Sequence, residues 1–134
     1  MNIEEIVDNF AALEEWEERY RYLISLGDRL PPMAEALKTQ ENKVRGCMSQ
    51  VWMVLDWDPA GRLSFTADSD AQIVRGLVAV LYNVFQGKTA EEIKKINVES
   101  IFKKLGLDQH LSPNRRNGFF AMVEKIDSFT KHGT

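Results

Sequence analysis

Apolar residues recur every three or four positions near the start of the chain. Ile3, Ile6, Val7, Phe10 and Leu13 form one stripe, and Trp16, Tyr20, Leu23 and Ile24 continue it. That period predicts helix over 3–26, with a break near 13–15 that would divide it in two. Gly27 is the expected C-terminal stop. Leu30-Pro31-Pro32 then opens an irregular segment reaching about Asn42, because proline lacks an amide donor and restricts the residue before it.

The period then changes from helical to two. Val51, Met53, Leu55 and Trp57 alternate with Trp52, Val54 and Asp56, which predicts a strand covered on both faces for part of its length. Asp58-Pro59-Ala60-Gly61 carries turn chemistry, and Arg62-Leu63-Ser64-Phe65-Thr66-Ala67 returns as the second arm of a hairpin. A short strand over 42–45 is expected to flank it. Helical spacing resumes at 71–86, with Asp68, Ser69 and Asp70 supplying N-cap oxygens. Ile73, Val74, Leu77, Val78, Val80, Leu81, Val84 and Phe85 make this helix apolar on more than one stripe, so it is the expected central buried helix. Gly87 closes it. Thr89-Ala90-Glu91-Glu92 reads as a capping box for a short helix at 90–95, and another follows at 98–105, stopped by Gly106. Ser112-Pro113 starts a last helix whose stripe is Phe119, Met122, Val123, Ile126 and Phe129. Helices, a hairpin, then helices predict an α+β fold, a small antiparallel β-sheet packed against helices, in one domain spanning 1–134. The hairpin connection and the lack of a Gly-rich phosphate loop argue against a Rossmann arrangement.

Composition narrows the function. The chain has 134 residues, 44% hydrophobic and 28% charged, which suits one core without disulfides or structural metal. Its formal net charge of −3 argues against nucleic acid as a partner. Glu4, Glu5, Asp8, Glu14, Glu15, Glu17 and Glu18 crowd the start and read as a solvated helix face rather than a docking surface. No basic region followed by an apolar stretch marks a secretory signal, and no run approaches the ~20 apolar residues of a membrane helix. With a lone thiol, the expectation is a cytoplasmic protein with no membrane contact.

Candidate chemistry centres on that thiol. Cys47 is the one cysteine, set in Lys43-Val44-Arg45-Gly46-Cys47-Met48-Ser49-Gln50-Val51-Trp52. It can close no internal disulfide and cannot supply the several thiolates of a zinc or iron–sulfur site. One reading is a small apolar residue, inert in the core. The other is a covalent bond made and broken at sulfur on a loop tip, with Arg45 and Lys43 raising the thiolate fraction. Val44, Val51 and Trp52 are expected to shield the sulfur at rest. A Cys-His hydrolase would pair Cys47 with His110, although nothing in the spacing supports it, and His110 reads as structural or surface. His132, followed only by Gly133 and Thr134, is expected at a frayed end. Metal ligands are too few for a site, and no cofactor is expected on this chain.

Four blocks carry a resemblance. They are Arg21-Tyr22-Leu23-Ile24-Ser25-Leu26-Gly27 with Leu30-Pro31-Pro32, the Asn42–Trp52 stretch, Asp68-Ser69-Asp70-Ala71-Gln72-Ile73-Val74-Arg75-Gly76-Leu77, and Gln109-His110-Leu111-Ser112-Pro113-Asn114-Arg115-Arg116-Asn117-Gly118. In this order they resemble the SufE family, sulfur-acceptor partners of type II cysteine desulfurases, over residues 19–128. The resemblance implies a SufE/IscU-like fold and a sulfur carrier. Cys47 would take persulfide sulfur from a pyridoxal-phosphate (PLP)-dependent desulfurase, stimulate that enzyme, and pass the sulfur to an iron–sulfur scaffold complex. PLP would reside on the partner, and the carrier would be a monomer or weak dimer. Asp70 and Arg115 match family positions and are candidate partner contacts, joined by Arg45 beside the thiol. Asp70 alternatively caps the central helix. Met48 stands where the family commonly has glutamine. The competing reading is a non-covalent adaptor of a desulfurase or another enzyme, carrying no sulfur.

Overall fold

A computed structural model describes residues 2–47 and 49–132. Met48 lies outside the described residues. The predicted break divides the first helical stretch into α1 (Ile3–Ala12) and α2 (Trp16–Asp28). Asn2 caps α1, its Oδ1 accepting from the Glu5 amide at 2.9 Å. All seven acidic residues of this region are exposed, while Ile6, Phe10, Leu23 and Leu26 are buried. An irregular stretch follows, carrying one 3-10 turn at Glu35–Leu37.

The sheet is one antiparallel pair, β1 (Val51–Trp57) and β2 (Leu63–Ser69). Its register sets Val51 opposite Ser69, Met53 opposite Ala67, Leu55 opposite Phe65 and Trp57 opposite Leu63. Directly opposed residues share a face, and this face points at the core, with Val51, Met53, Leu63, Phe65, Ala67 and Ser69 buried. Asp58 fixes the turn, since its Oδ1 accepts from the amides of Ala60 and Arg62, both at 2.9 Å. Gly61 there takes φ of 77°, a value that favours glycine. On the other face Lys38 reaches from the irregular stretch over the Trp52 ring, 5.6 Å from its centroid, and bonds Asp68 at 3.1 Å.

The flanking strand expected at 42–45 reduces to a single bridge between Lys43 and Trp52. Val44 N–H donates to the Val51 carbonyl at 2.9 Å and Met53 N–H to the Asn42 carbonyl at 2.8 Å. Pairing stops there because Gly46 takes φ of 91° and turns the chain away.

The remaining helices are α3 (Gln72–Phe85), α4 (Ala90–Lys94), α5 (Val98–Lys104), α6 (Leu107–His110) and α7 (Pro113–His132). α3 is the central helix, with nine of its fourteen residues buried between α2, β2 and α7. The Thr89–Glu92 capping box forms in both directions. Ser112 caps α7 by accepting the Arg115 amide at 3.3 Å. α6 was not expected. It puts the stretch around His110, where the sequence predicts no helix between Gly106 and Ser112, into a helical turn entered through Gly106, whose φ is 71°. α7 reaches His132, so the expected frayed end is helical in backbone.

Gly27 does not stop α2. It lies inside the helix and is buried where α2 crosses α3. A Cβ on Gly27 would come within 2.9 Å of the Gly76 amide nitrogen, and one on Gly76 within 2.7 Å of the Leu23 carbonyl carbon. The two glycines bring the helix backbones together, which a sequence pattern does not distinguish from a cap. Among the described residues, no helix is long and apolar enough to cross a membrane.

Candidate functional site

Cys47 sits on a short loop between the Lys43–Trp52 bridge and the start of β1. Both ends of this loop are held. At the first, Val44 is buried and bonded to Val51. At the second, the Gln50 amide donates to Asp70 Oδ1 at 3.0 Å, while the Gln50 carbonyl accepts from Ser69 Oγ at 2.8 Å and from the Asp70 amide at 3.2 Å. Asp70 therefore does not cap α3. The cap position is Ala71, with no side-chain cap bond, because β2 runs on to Ser69 and Asp70 serves the neighbouring loop.

α7 forms the wall along which the loop lies. Gly118 faces Cys47, Ala121 faces Gly46, and Lys125 Nζ donates to the carbonyls of Met53 at 3.3 Å and Asn42 at 3.5 Å. Steps of three and four along a helix keep these residues on one face. Burial pushes the Lys125 ammonium below its ordinary pKa.

The sulfur is half-buried and lines a cavity of about 330 Å³. Val74 and Leu77 of α3, Phe119 and Met122 of α7, and the polar groups of Ser49, Ser112, Asn114 and Arg115 complete the lining with Gly118. The expected shield of Val44, Val51 and Trp52 takes no part in it. The apolar walls of this cavity come from two helices remote in sequence, which the local pattern could not reveal.

The electrostatics also differ from expectation. Burial pushes the Cys47 thiol up, and neither Lys43 nor Arg45 offsets it. Arg45 is exposed on the loop and does not line the cavity. Burial thus favours the protonated thiol, whose Sγ is placed to donate to the Gly118 carbonyl at 3.6 Å.

Of the sequence candidates, Cys47 and Arg115 share the cavity, Asp70 holds the loop from below, and Arg45 stands apart. His110 is not at the site. Its ring lies 4.0 Å from that of Trp16, and its backbone carbonyl accepts from Tyr20 Oη at 2.8 Å. Lost hydration, then the charge of Arg19, lowers its pKa. The hydrolase pairing of Cys47 with His110 has no geometric support. Gly118, Ser112 and Asn114 were missed as site residues, although all three stand in the fourth sequence block. Among the described residues, no three His, Cys, Asp or Glu side chains gather where a metal ion could be held.

This arrangement occurs in a chain with clear relatives. The SufE profile, described as an Fe-S metabolism associated domain, matches residues 4–130. An uncharacterised SufE-like protein of Rhizobium meliloti is 50% identical over 132 residues, covering 95% of this chain and 93% of its own. Another from Rhizobium etli is 48% identical over 128 residues, covering 93% and 86%. A solution structure of a hypothetical protein from Thermus thermophilus shares the fold, with a TM-score of 0.77 at 17% identity over 96% of this chain and 93% of that one. With a match that spans nearly its whole length, this chain belongs to the SufE family, an Fe–S metabolism associated domain.

Proposed function

We propose that this protein accepts sulfane sulfur on Cys47 from the persulfide of a PLP-dependent type II cysteine desulfurase and delivers it to an iron–sulfur scaffold complex. The observation that carries the reading is the setting of Cys47, a lone thiol on a loop anchored at both ends, beside a cavity, in a chain that matches the SufE profile over residues 4–130. The chemistry is thiol–disulfide exchange. The Cys47 thiolate attacks the outer sulfur of the desulfurase persulfide. A new S–S bond forms on Cys47 as the old one breaks, and the desulfurase cysteine leaves as a thiolate. No external oxidant or reductant is needed, and the Cys47 proton passes to solvent or to the departing thiolate.

The resting geometry suits a carrier. A half-buried, protonated thiol reacts slowly with bystanders, because the thiolate is the nucleophile. Transfer then requires the loop to expose the sulfur on the partner. Arg115 at the cavity, Arg45 on the exposed loop and Asp70 beneath it make up the surface offered to the desulfurase. PLP belongs to that partner.

The test is intact-protein mass spectrometry after mixing the chain with a type II desulfurase and cysteine. The expected result is a gain of one sulfur atom, removed by reductant and absent in Cys47→Ser. If Cys47→Ser still stimulated the desulfurase as strongly as wild type, a non-covalent adaptor would replace the sulfur carrier.

A further inference from the structure

Gly118 stands in the second turn of α7, where glycine disfavours the helix relative to alanine. Its backbone does not explain it, since the glycines at positive φ are 46, 61, 87 and 106. Space does. A Cβ at 118 would lie 3.3 Å from Cys47 Sγ, 3.8 Å from its Cβ and 3.9 Å from its Cα. The first distance is a tight approach, and the three nearest atoms the missing Cβ would meet outside its own helix turn all belong to Cys47. The Gly118 carbonyl meanwhile accepts the thiol hydrogen at 3.6 Å. A carbonyl has two lone pairs, so it can take this donor as well as its helical partner.

We propose that Gly118 is the positioning residue for Cys47, its bare Cα and its carbonyl together forming a seat that holds the protonated sulfur against α7 until the loop opens. The contact exists for the thiol alone. A thiolate has no hydrogen to donate and would face the carbonyl lone pairs. The inner sulfur of a persulfide likewise carries no hydrogen. Losing the proton therefore removes the loop-tip tether, while the bonds of Val44 and Gln50 keep the loop ends fixed. The other charged groups near the sulfur do not replace the tether. Arg115 lines the cavity from α7, α3 contributes only Val74 and Leu77, Asp70 bonds Gln50, and Arg45 is exposed. Only the persulfide statement rests on sulfur acceptance; the seat itself does not.

The experiment is iodoacetamide alkylation of Cys47 in the full-length chain, followed across pH, for wild type and Gly118→Ala. The added methyl should displace the sulfur and raise the alkylation rate at neutral pH by about fivefold, the weight of one hydrogen bond in an equilibrium. The pH midpoint should fall toward that of an unburied thiol. A gain in helix stability alone would leave rate and midpoint unchanged, and that result overturns the proposal. Should Gly118→Ala fold poorly, Cys47→Ala provides the second arm, because it removes the thiol donor and keeps the seat. Hydrogen exchange of peptides spanning the loop should quicken several-fold in that variant, and unchanged exchange would overturn the tether. Neither readout uses a desulfurase, so failure here is distinct from failure to gain sulfur.

Discussion

Asp70 offers a direct way to loosen the cysteine loop without touching the cysteine. Three hydrogen bonds tie Gln50 to β2 and its end, and Asp70→Ala deletes the one from the Gln50 amide to Oδ1 at 3.0 Å. Asp70 is exposed, so water competes for the freed amide and the net loss should be about 1 kcal/mol. If Cys47 reacts mainly from a loop opened beyond its tip, far enough to break this bond, that energy multiplies the open fraction about fivefold. Alkylation by dilute iodoacetamide reads this ratio when closing is faster than reaction, the regime in which attack tracks the open population. Asp70→Asn keeps an acceptor oxygen and should change the rate by only about twofold. The thermal midpoint should move little, since the bond sits at the surface and two partners of Gln50 remain. An unchanged alkylation rate in Asp70→Ala, with a lowered midpoint, would refute the reasoning. It would mean that this bond braces the end of β2 and leaves the loop indifferent.

Other expectations follow from the same geometry. Gly76→Ala should cost about 3 kcal/mol in urea unfolding, because its Cβ would press on Leu23 and force α2 from α3; a wild-type midpoint would contradict the close crossing. Asp68 is partly buried, which opposes ionisation, yet the Ser69 amide, Lys38 and Arg75 outweigh this and hold its carboxyl below the ordinary value. A depressed folded-state pKa adds stability above the unfolded value, lost as pH falls through the folded one. Asp68→Asn should therefore be less stable by about 2 kcal/mol at neutral pH and should flatten the acid limb of the stability curve. Acid limbs of equal slope would count against these partners. His110→Ala should leave both alkylation and sulfur gain unchanged, whereas a loss of about 100-fold would restore it as a catalytic base.

Much of the architecture is local and was legible. The break between α1 and α2, the Asp58–Gly61 turn, the Thr89–Glu92 capping box and the Ser112 cap all arise from residues within a few positions of one another. Such features follow from short-range sterics and hydrogen bonding, which a single stretch of sequence encodes. The flanking strand failed because one positive-φ glycine, Gly46, ended the pairing. Gly27 failed because a glycine read alone as a helix stop serves instead as the contact point between two helices.

By itself the sequence determined the identity of the thiol, the α+β order of elements and, through four ordered blocks, the family. Tertiary structure alone decided what surrounds the sulfur. The cavity walls come from α3 and α7, the loop latch from Asp70 and Ser69, and the seat from Gly118, which stands 71 positions beyond Cys47. The physical reason is range. Capping and periodicity act over a few residues, whereas the desolvation that raises the thiol pKa depends on packing between segments that only the folded chain brings together.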